Sequence, residues 1–306
     1  MIATTRTGTP EEKQPLEFGG IARRHLQVLS DKIGARITGS QKETAAAQYI
    51  QSVFKSLDYE VVKQDFYFTD VDDETPLHSA NLVAVKQGDS TRQIIVGAHY
   101  DSTSDGGKGA DDNASGAAVL LEMAEKVKNI QTPYTIRFIA FGAEENDLDG
   151  SYYYVDKMSK KEIQDTILMI NLDSLIAGDY AYVYGKPGRG SAFDWILKKA
   201  SASGLSLESR PDEDLKNEDG SDCECTDYQA FDDAGIPFLY FEATDWNLGE
   251  EDGETQVDEK YGDSGYIRHT IYDTIAYIDQ KFPGRIDGYL NLFSKLVFSL
   301  LTEFEE

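Results

Sequence analysis

The stretch Ile94-Ile95-Val96-Gly97-Ala98, followed at once by His99-Tyr100-Asp101, sets the architecture of this chain. Five uninterrupted apolar residues suit a strand that is covered on both faces, as the strands of a parallel sheet are. In open α/β sheets ligands bind beyond the carboxyl ends of the strands. His99, Tyr100 and Asp101 stand at such an end.

Working outward, residues 59–68 alternate like a strand, with Val61, Val62, Phe66 and Phe68 apolar, and residues 81–85 and 93–98 read as two more. Residues 135–141, 167–172, 180–184 and 236–241 read as further strands. The region 15–57 looks helical, with Thr38-Gly39-Ser40-Gln41 as a helix start and apolar residues at helical spacing over 44–57. Helices are also expected over 113–127, with Leu120, Met123, Ala124 and Val127 on one side, over 190–203, and over 286–304. Strands alternating with helices predict an α/β fold: a mostly parallel, twisted sheet with helices on both faces. Residues 1–14 read as a loose tail and 15–306 as one domain. Two polar, acidic segments, 211–224 and 248–263, break the alternation. Loops that long in a compact domain are usually functional or mobile.

The chain has 306 residues and a formal net charge of -26, which argues against nucleic acid or an anionic membrane surface as a partner. It favours cationic ligands: metal ions, peptide amines, basic side chains. No stretch approaches the ~20 apolar residues that span a bilayer, and the polar start of the chain has no apolar signal region. Two cysteines, Cys223 and Cys225, are too few for a disulfide framework or a structural zinc site, so they are read as free thiols.

Acids and imidazoles collect at the strand exits. His99 and Asp101 follow the first strand quoted; Gly109-Ala110-Asp111-Asp112-Asn113 precedes a helix; Glu144-Glu145 follows 135–141; Asp173 follows 167–172; His269-Thr270-Ile271-Tyr272-Asp273 follows the second acidic loop. In an extended segment His99 and Asp101 point the same way, and a carboxylate beside a histidine fixes the ring as a ligand. Two histidines and several acids exceed what one catalytic zinc needs and suit two metal ions sharing a carboxylate. In Glu144-Glu145 one carboxylate can bind metal while its neighbour takes a proton from the attacking water.

These motifs resemble, in order, those of the co-catalytic zinc aminopeptidases, metallopeptidase family twenty-eight. The resemblance is carried by Gly97-Ala98-His99-Tyr100-Asp101-Ser102, Gly109-Ala110-Asp111-Asp112-Asn113-Ala114-Ser115-Gly116, Phe141-Gly142-Ala143-Glu144-Glu145 with Gly150-Ser151, Asn171-Leu172-Asp173, and His269-Thr270-Ile271-Tyr272-Asp273-Thr274. It implies a zinc-exopeptidase, phosphorylase/hydrolase-like fold and a metallo-aminopeptidase with two zinc ions that acts on peptide or protein N-termini. His99 and Asp173 would hold one zinc, Glu145 and His269 the other, and Asp111 would bridge them. Glu144 would be the general base and then the acid, and Asp101 the partner of His99. The family often reads Ser-Asp-His where this chain has Thr226-Asp227-Tyr228, which leaves Tyr228 as an oxyanion or substrate candidate beside the alternative of a packed tyrosine. The resemblance also implies an extracytoplasmic location, with a cytoplasmic one as the alternative. The acidic loops suggest a preference for N-terminal Arg or Lys. Two competing readings are a single-zinc glutaminyl cyclase and a non-catalytic ectodomain of the same fold. Asn113-Ala114-Ser115 matches a glycosylation acceptor but lies inside a metal motif and is read as structural; Tyr152-Tyr153-Tyr154 is read as helix packing.

Overall fold

A computed structural model describes residues 17–71, 74–104, 107–211, 226–249, 253–262 and 264–306. The tail 1–14, Cys223, Cys225, nearly all of the acidic segment 211–224, and residues 250–252 and 263 of the second acidic segment lie outside the described residues. Among the described residues eight strands form one sheet: β1 (Val61–Thr69), β2 (Pro76–Lys86), β3 (Ser90–His99), β4 (Tyr134–Phe141), β5 (Thr166–Leu172), β6 (Tyr180–Gly185), β7 (Glu208–Pro211) and β8 (Phe238–Thr244), in spatial order β1-β2-β4-β3-β5-β8-β6-β7. The centre, β4-β3-β5-β8, is parallel. The flanks are less uniform. β2 runs antiparallel to both β1 and β4, and β6 antiparallel to β8. The α/β class is therefore borne out, with a parallel middle and antiparallel margins. The margin arises because β1 and β2 follow one another with no helix between them, and a short connection can join only antiparallel neighbours.

Burial alternates along the central strands as a two-faced sheet requires. Ile94, Val96 and Ala98 of β3 join Ile136, Phe138, Leu168 and Ile170 in the core on one face. Ile95 joins Ile139, Met169, Tyr154 and Phe231 on the other. The first face is covered by α1 (Gly20–Leu26), α2 (Gln41–Ser56), α3 (Gly116–Val127), α6 (Ala192–Ala202) and the closing α9 (Arg285–Glu303). The second carries α4 (Asp149–Asp156), α5 (Lys160–Asp165) and α7 (Tyr228–Asp233). The expected helix start at residues 38–41 is present: Ser40 Oγ accepts from Glu43 N at 3.2 Å, and Glu43 Oε2 accepts from Gly39 N at 2.7 Å. The helical region is interrupted before it, after a wide turn over Gln27–Ile33. In the tyrosine run, Tyr154 packs on Phe141 and Phe231, and Tyr153 stacks on Phe66.

Register places the strand ends level with one another. His99 pairs with Phe141 and Gly97 with Asn171, so the residues just past β4 and β5 emerge beside His99. Gly116 brings α3 to the same edge: a Cβ there would lie 2.2 Å from the Leu172 carbonyl oxygen, so only glycine lets the helix start against β5. Among the described residues no helix is long and apolar enough to cross a membrane.

Candidate metal centre

Three strand ends and two loops deliver the polar residues. His99 closes β3, Glu144 and Glu145 follow β4, and Asp173 follows β5. Asp112 sits in the irregular turn Ala110–Ser115, with φ -108° and ψ 100°, and its peptide bond to Asn113 is cis. His269 comes from the loop before α8 (Ile275–Lys281). Three donor groups form among the described residues, with the ligand atoms of each within 4.8 Å of one another: His99–Glu144–Glu145, and a further two, His99–Asp112–Asp173 and Asp112–Glu145–His269. Asp112 belongs to both of the latter. Its Oδ1 is 3.2 Å from His99 Nε2, and its Oδ2 is 2.8 Å from His269 Nε2. Asp173 Oδ1 lies 3.4 Å from His99 Nε2, and Glu145 Oε2 lies 3.4 Å from His269 Nε2. Glu144 Oε2 stands 3.7 Å from His99 Nε2.

Asp101 does more than accompany His99. Its Oδ1 lies 3.3 Å from His99 Nδ1, near enough to pair but outside good hydrogen-bond geometry. The same carboxylate accepts from the backbone N–H of Glu144 and of Glu145, both at 3.2 Å, and from Thr38 Oγ1 at 2.7 Å. It thereby fixes the turn that presents the two glutamates. Arg36, fully buried, donates to the carbonyls of Tyr100 at 2.6 Å and of Lys108 and Gly109 at 2.8 Å, which closes the loop between Asp101 and Asp112.

The charges show what the site requires. Burial alone would lower the His269 pKa, but hydrogen bonds to Asp112 and Glu145 push it up to about 11. His99 is likewise raised against burial by Glu144, Asp173, Asp101 and Asp112. Asp112 is held well below the usual carboxylate range, its burial outweighed by the two imidazoles. Glu145 is pushed up to about 7 by burial and by Asp112. Both imidazoles are thus drawn toward the cationic form by a surplus of carboxylates, while buried Glu145 Oε1 has no hydrogen-bond partner among the described residues. Two imidazoles and several carboxylates, one within reach of both rings, fit two divalent cations.

Two expectations are corrected. Asp111 does not lie between the histidines. Its Oδ1 accepts from the backbone N–H of Ile176 at 2.7 Å and of Ala177 at 3.0 Å, and its Oδ2 accepts from Gln256 Nε2 at 2.6 Å. Those bonds occupy its carboxylate, and the next residue, Asp112, takes the central place. Tyr228 is a packed tyrosine: its ring stacks on Phe238 at 4.2 Å and on Tyr240 at 5.5 Å in the core of the second face. The structure also adds residues that the sequence reading missed. Thr226 Oγ1 donates to Asp173 Oδ2 at 2.7 Å, and Asp273 accepts from the backbone N–H of Asp111 at 2.6 Å and of Asp112 at 3.1 Å. Both could have been suspected, since Asp273 lies in a quoted motif and Thr226 in the quoted stretch Thr226-Asp227-Tyr228, but nothing in the sequence gives their partners.

An α/β sheet with two imidazole–carboxylate sets joined by one carboxylate, at the carboxyl ends of parallel strands, is the donor arrangement of a metal-dependent hydrolase. Peptidase family M28 matches residues 81–291. The alkaline phosphatase isozyme conversion protein of Escherichia coli (strain K12) is 32% identical over 95% of this chain and 91% of its own length. Aminopeptidase YwaD of Bacillus subtilis (strain 168) is 33% identical over 66% of this chain and 41% of its own. Among solved structures, BSAP, a zinc aminopeptidase from Bacillus subtilis, superposes with a TM-score of 0.73 at 21% identity, covering 96% of this chain and 98% of that one. A glutaminyl cyclase from Porphyromonas gingivalis gives 0.69 at 20%, covering 93% and 97%. Both structural likenesses show the fold. The chain belongs to peptidase family M28. The expected metallo-aminopeptidase class is borne out at the level of that family and of the aminopeptidases among its relatives.

Proposed function

We propose that the chain is a two-zinc aminopeptidase that removes the N-terminal residue of peptides, with Glu144 as the proton-transfer group. The observation that carries this reading is the place of Asp112, within 3.2 Å of His99 and 2.8 Å of His269. His99 and Asp173 would hold one ion, Glu145 and His269 the other, and Asp112 both. When bound, the ions would supply Lewis acidity and a water of lowered pKa. Asp101 holds the Glu144-Glu145 turn, so the proton-transfer group is placed before substrate arrives. Burial and the carboxylates of Glu145, Asp173 and Asp227 raise Glu144 well above the usual range, the direction in which a carboxyl becomes able to take and return a proton near neutrality. The surplus of carboxylates favours a substrate that presents an ammonium group. The second donor set, complete in Asp112, Glu145 and His269, favours this reading over a single-metal cyclase.

The test is product analysis on paired peptides. A peptide with a free N-terminus should release its first residue, and its N-acetylated twin should be inert. Conversion of N-terminal glutamine with loss of ammonia, without release of a residue, would support the cyclase instead.

A preference for N-terminal Arg or Lys is the finer part of the proposal. Its support is the net charge of -26 and the acidic loops. Asp212, Glu213, Asp214, Glu218, Asp219, Asp222, Glu224, Glu250, Glu251, Asp252 and Asp263 lie outside the described residues; Glu254 pairs with Arg268 and Asp258 with Lys260. A one-signed rim steers more than it selects. Comparing kcat/KM for Arg-, Lys- and Leu-p-nitroanilide at low and high salt tests it: Leu ahead of Arg under both conditions ends the idea.

A further inference from the structure

His269 is the least sheltered donor of the site. Its side chain is 52% exposed, against 1% for His99. It follows no strand, and its φ of 56° lies in the left-handed region that residues with a Cβ rarely adopt. A residue stays in that conformation only where its surroundings hold it.

The Arg268 guanidinium, paired with Glu242 and Glu254, anchors the side chain before His269, and the backbone there is held by a fully buried side chain, Gln256. Its Oε1 accepts from the backbone N–H of Arg268 at 2.7 Å and of Ile267 at 3.2 Å, the two residues that lead into His269. Its Nε2 donates to Asp111 Oδ2 at 2.6 Å and makes a longer contact, 3.4 Å, to the Ala243 carbonyl. Thr270 Oγ1 closes the turn by donating to the Ile267 carbonyl at 2.7 Å. Asp111 is itself anchored on Ile176 and Ala177, and its backbone is shared with Asp112.

We propose that Gln256 is a positioning residue for His269: it ties the backbone before His269 to the same Asp111 scaffold that carries Asp112, and so sets the reach between the two donors. This rests on the reading of His269 as a metal ligand. The chemistry of the amide explains the residue type. One end must accept from two N–H groups and the other must donate to a carboxylate, which only a primary amide of this length does. Glutamate would set a second acceptor against Asp111, and alanine would leave both ends unmade. The order can, however, be reversed. With Asp111→Asn and Gln256→Glu together, the asparagine donates and the glutamate accepts. The heavy atoms and the net charge are kept, and only the long contact to Ala243 is lost.

The test uses the full chain in two states. In the metal-free protein, amide hydrogen exchange is followed at Ile267 and Arg268; zinc affinity is then measured by equilibrium dialysis. For Gln256→Ala we expect exchange at both amides to accelerate at least about tenfold, and the affinity for one zinc to fall about 10–100-fold while the other is unchanged. The double variant should return both readouts to near the parent's, and it decides the matter if Gln256→Ala does not fold. Unchanged exchange in Gln256→Ala, or a double variant no better than Gln256→Glu alone, would overturn the proposal. Faster exchange with both zinc affinities intact would also overturn it, by showing that the tie does not set the reach of His269, and the zinc affinities of His269→Ala, measured the same way, report separately whether His269 is a ligand.

Discussion

Asp111 and Asp112 are consecutive in sequence, yet their carboxylates serve different ends: that of Asp111 is taken up by two backbone amides and Gln256, and that of Asp112 lies between His99 and His269. Replacing Asp111 should therefore act through structure. For Asp111→Asn we expect a loss of about 1–3 kcal/mol in denaturant unfolding, the cost of disturbing a buried hydrogen-bonded group, with zinc kept at the His99–Asp173 site. A variant as stable as the parent but empty of both ions would return Asp111 to the centre.

Glu144 is tied into the fold through its backbone: its carbonyl accepts from the Leu148 N–H, and its own N–H donates to Asp101. Glu144→Gln preserves those bonds and removes the proton acceptor. Turnover should fall by about 10²–10⁴-fold, the range for general acid–base catalysis, with zinc content equal to the parent's. Steady-state kinetics and elemental analysis on the same sample check both parts, and a variant of normal activity would end the assignment.

The amino-terminal helix is tied down by Glu122 of α3. Its buried carboxylate accepts from the backbone N–H of Gly19 at 2.9 Å and of Ala22 at 2.8 Å, at the start of α1. Glu122→Ala leaves those donors without their acceptor and should cost about 2–3 kcal/mol. Limited proteolysis near residue 20 should become faster in step. Unchanged stability would mean that the packing of α1 alone suffices.

His25 gives a pH signature away from the site. Burial, with help from Arg24, lowers its pKa to about 4, and Nδ1 lies 2.8 Å from Tyr49 Oη. The folded pKa is below the unfolded value of 6.5, so the unfolded state binds the proton first as pH falls. The contribution of His25 is present above pH 6.5 and is lost between there and about 4. It amounts to at most about 3 kcal/mol. Denaturation of His25→Gln and the parent at several pH values isolates it: the variant should show a flatter acid limb, and parallel limbs would contradict the assignment.

Much of this was legible in the chain because the central strands are apolar runs with acids at their ends. β4 and β5 could be placed within a residue and β3 within three, and with them His99, Glu144, Glu145 and Asp173. Asp112 was not legible because the turn Ala110–Ser115 has no period: a strand or a helix says which of two adjacent side chains faces a site, and an irregular turn does not. Thr226 and Gln256 act through polar contacts set by tertiary packing, and no spacing announces them. The short helices α4, α7 and α8, at six to eight residues, carry too few apolar positions for a helical repeat to show. The antiparallel margins follow from connections whose direction alternation alone leaves open.

The central claim is that one carboxylate, Asp112, serves two zinc ions, and zinc stoichiometry tests it most directly. The protein and its Asp112→Asn variant are loaded with zinc, dialysed together against the same metal buffer, and measured by elemental analysis. The account predicts two zinc ions per chain in the parent and loss of both in Asp112→Asn, with far-ultraviolet circular dichroism unchanged. One zinc per chain in the parent, or two retained in Asp112→Asn, would contradict it.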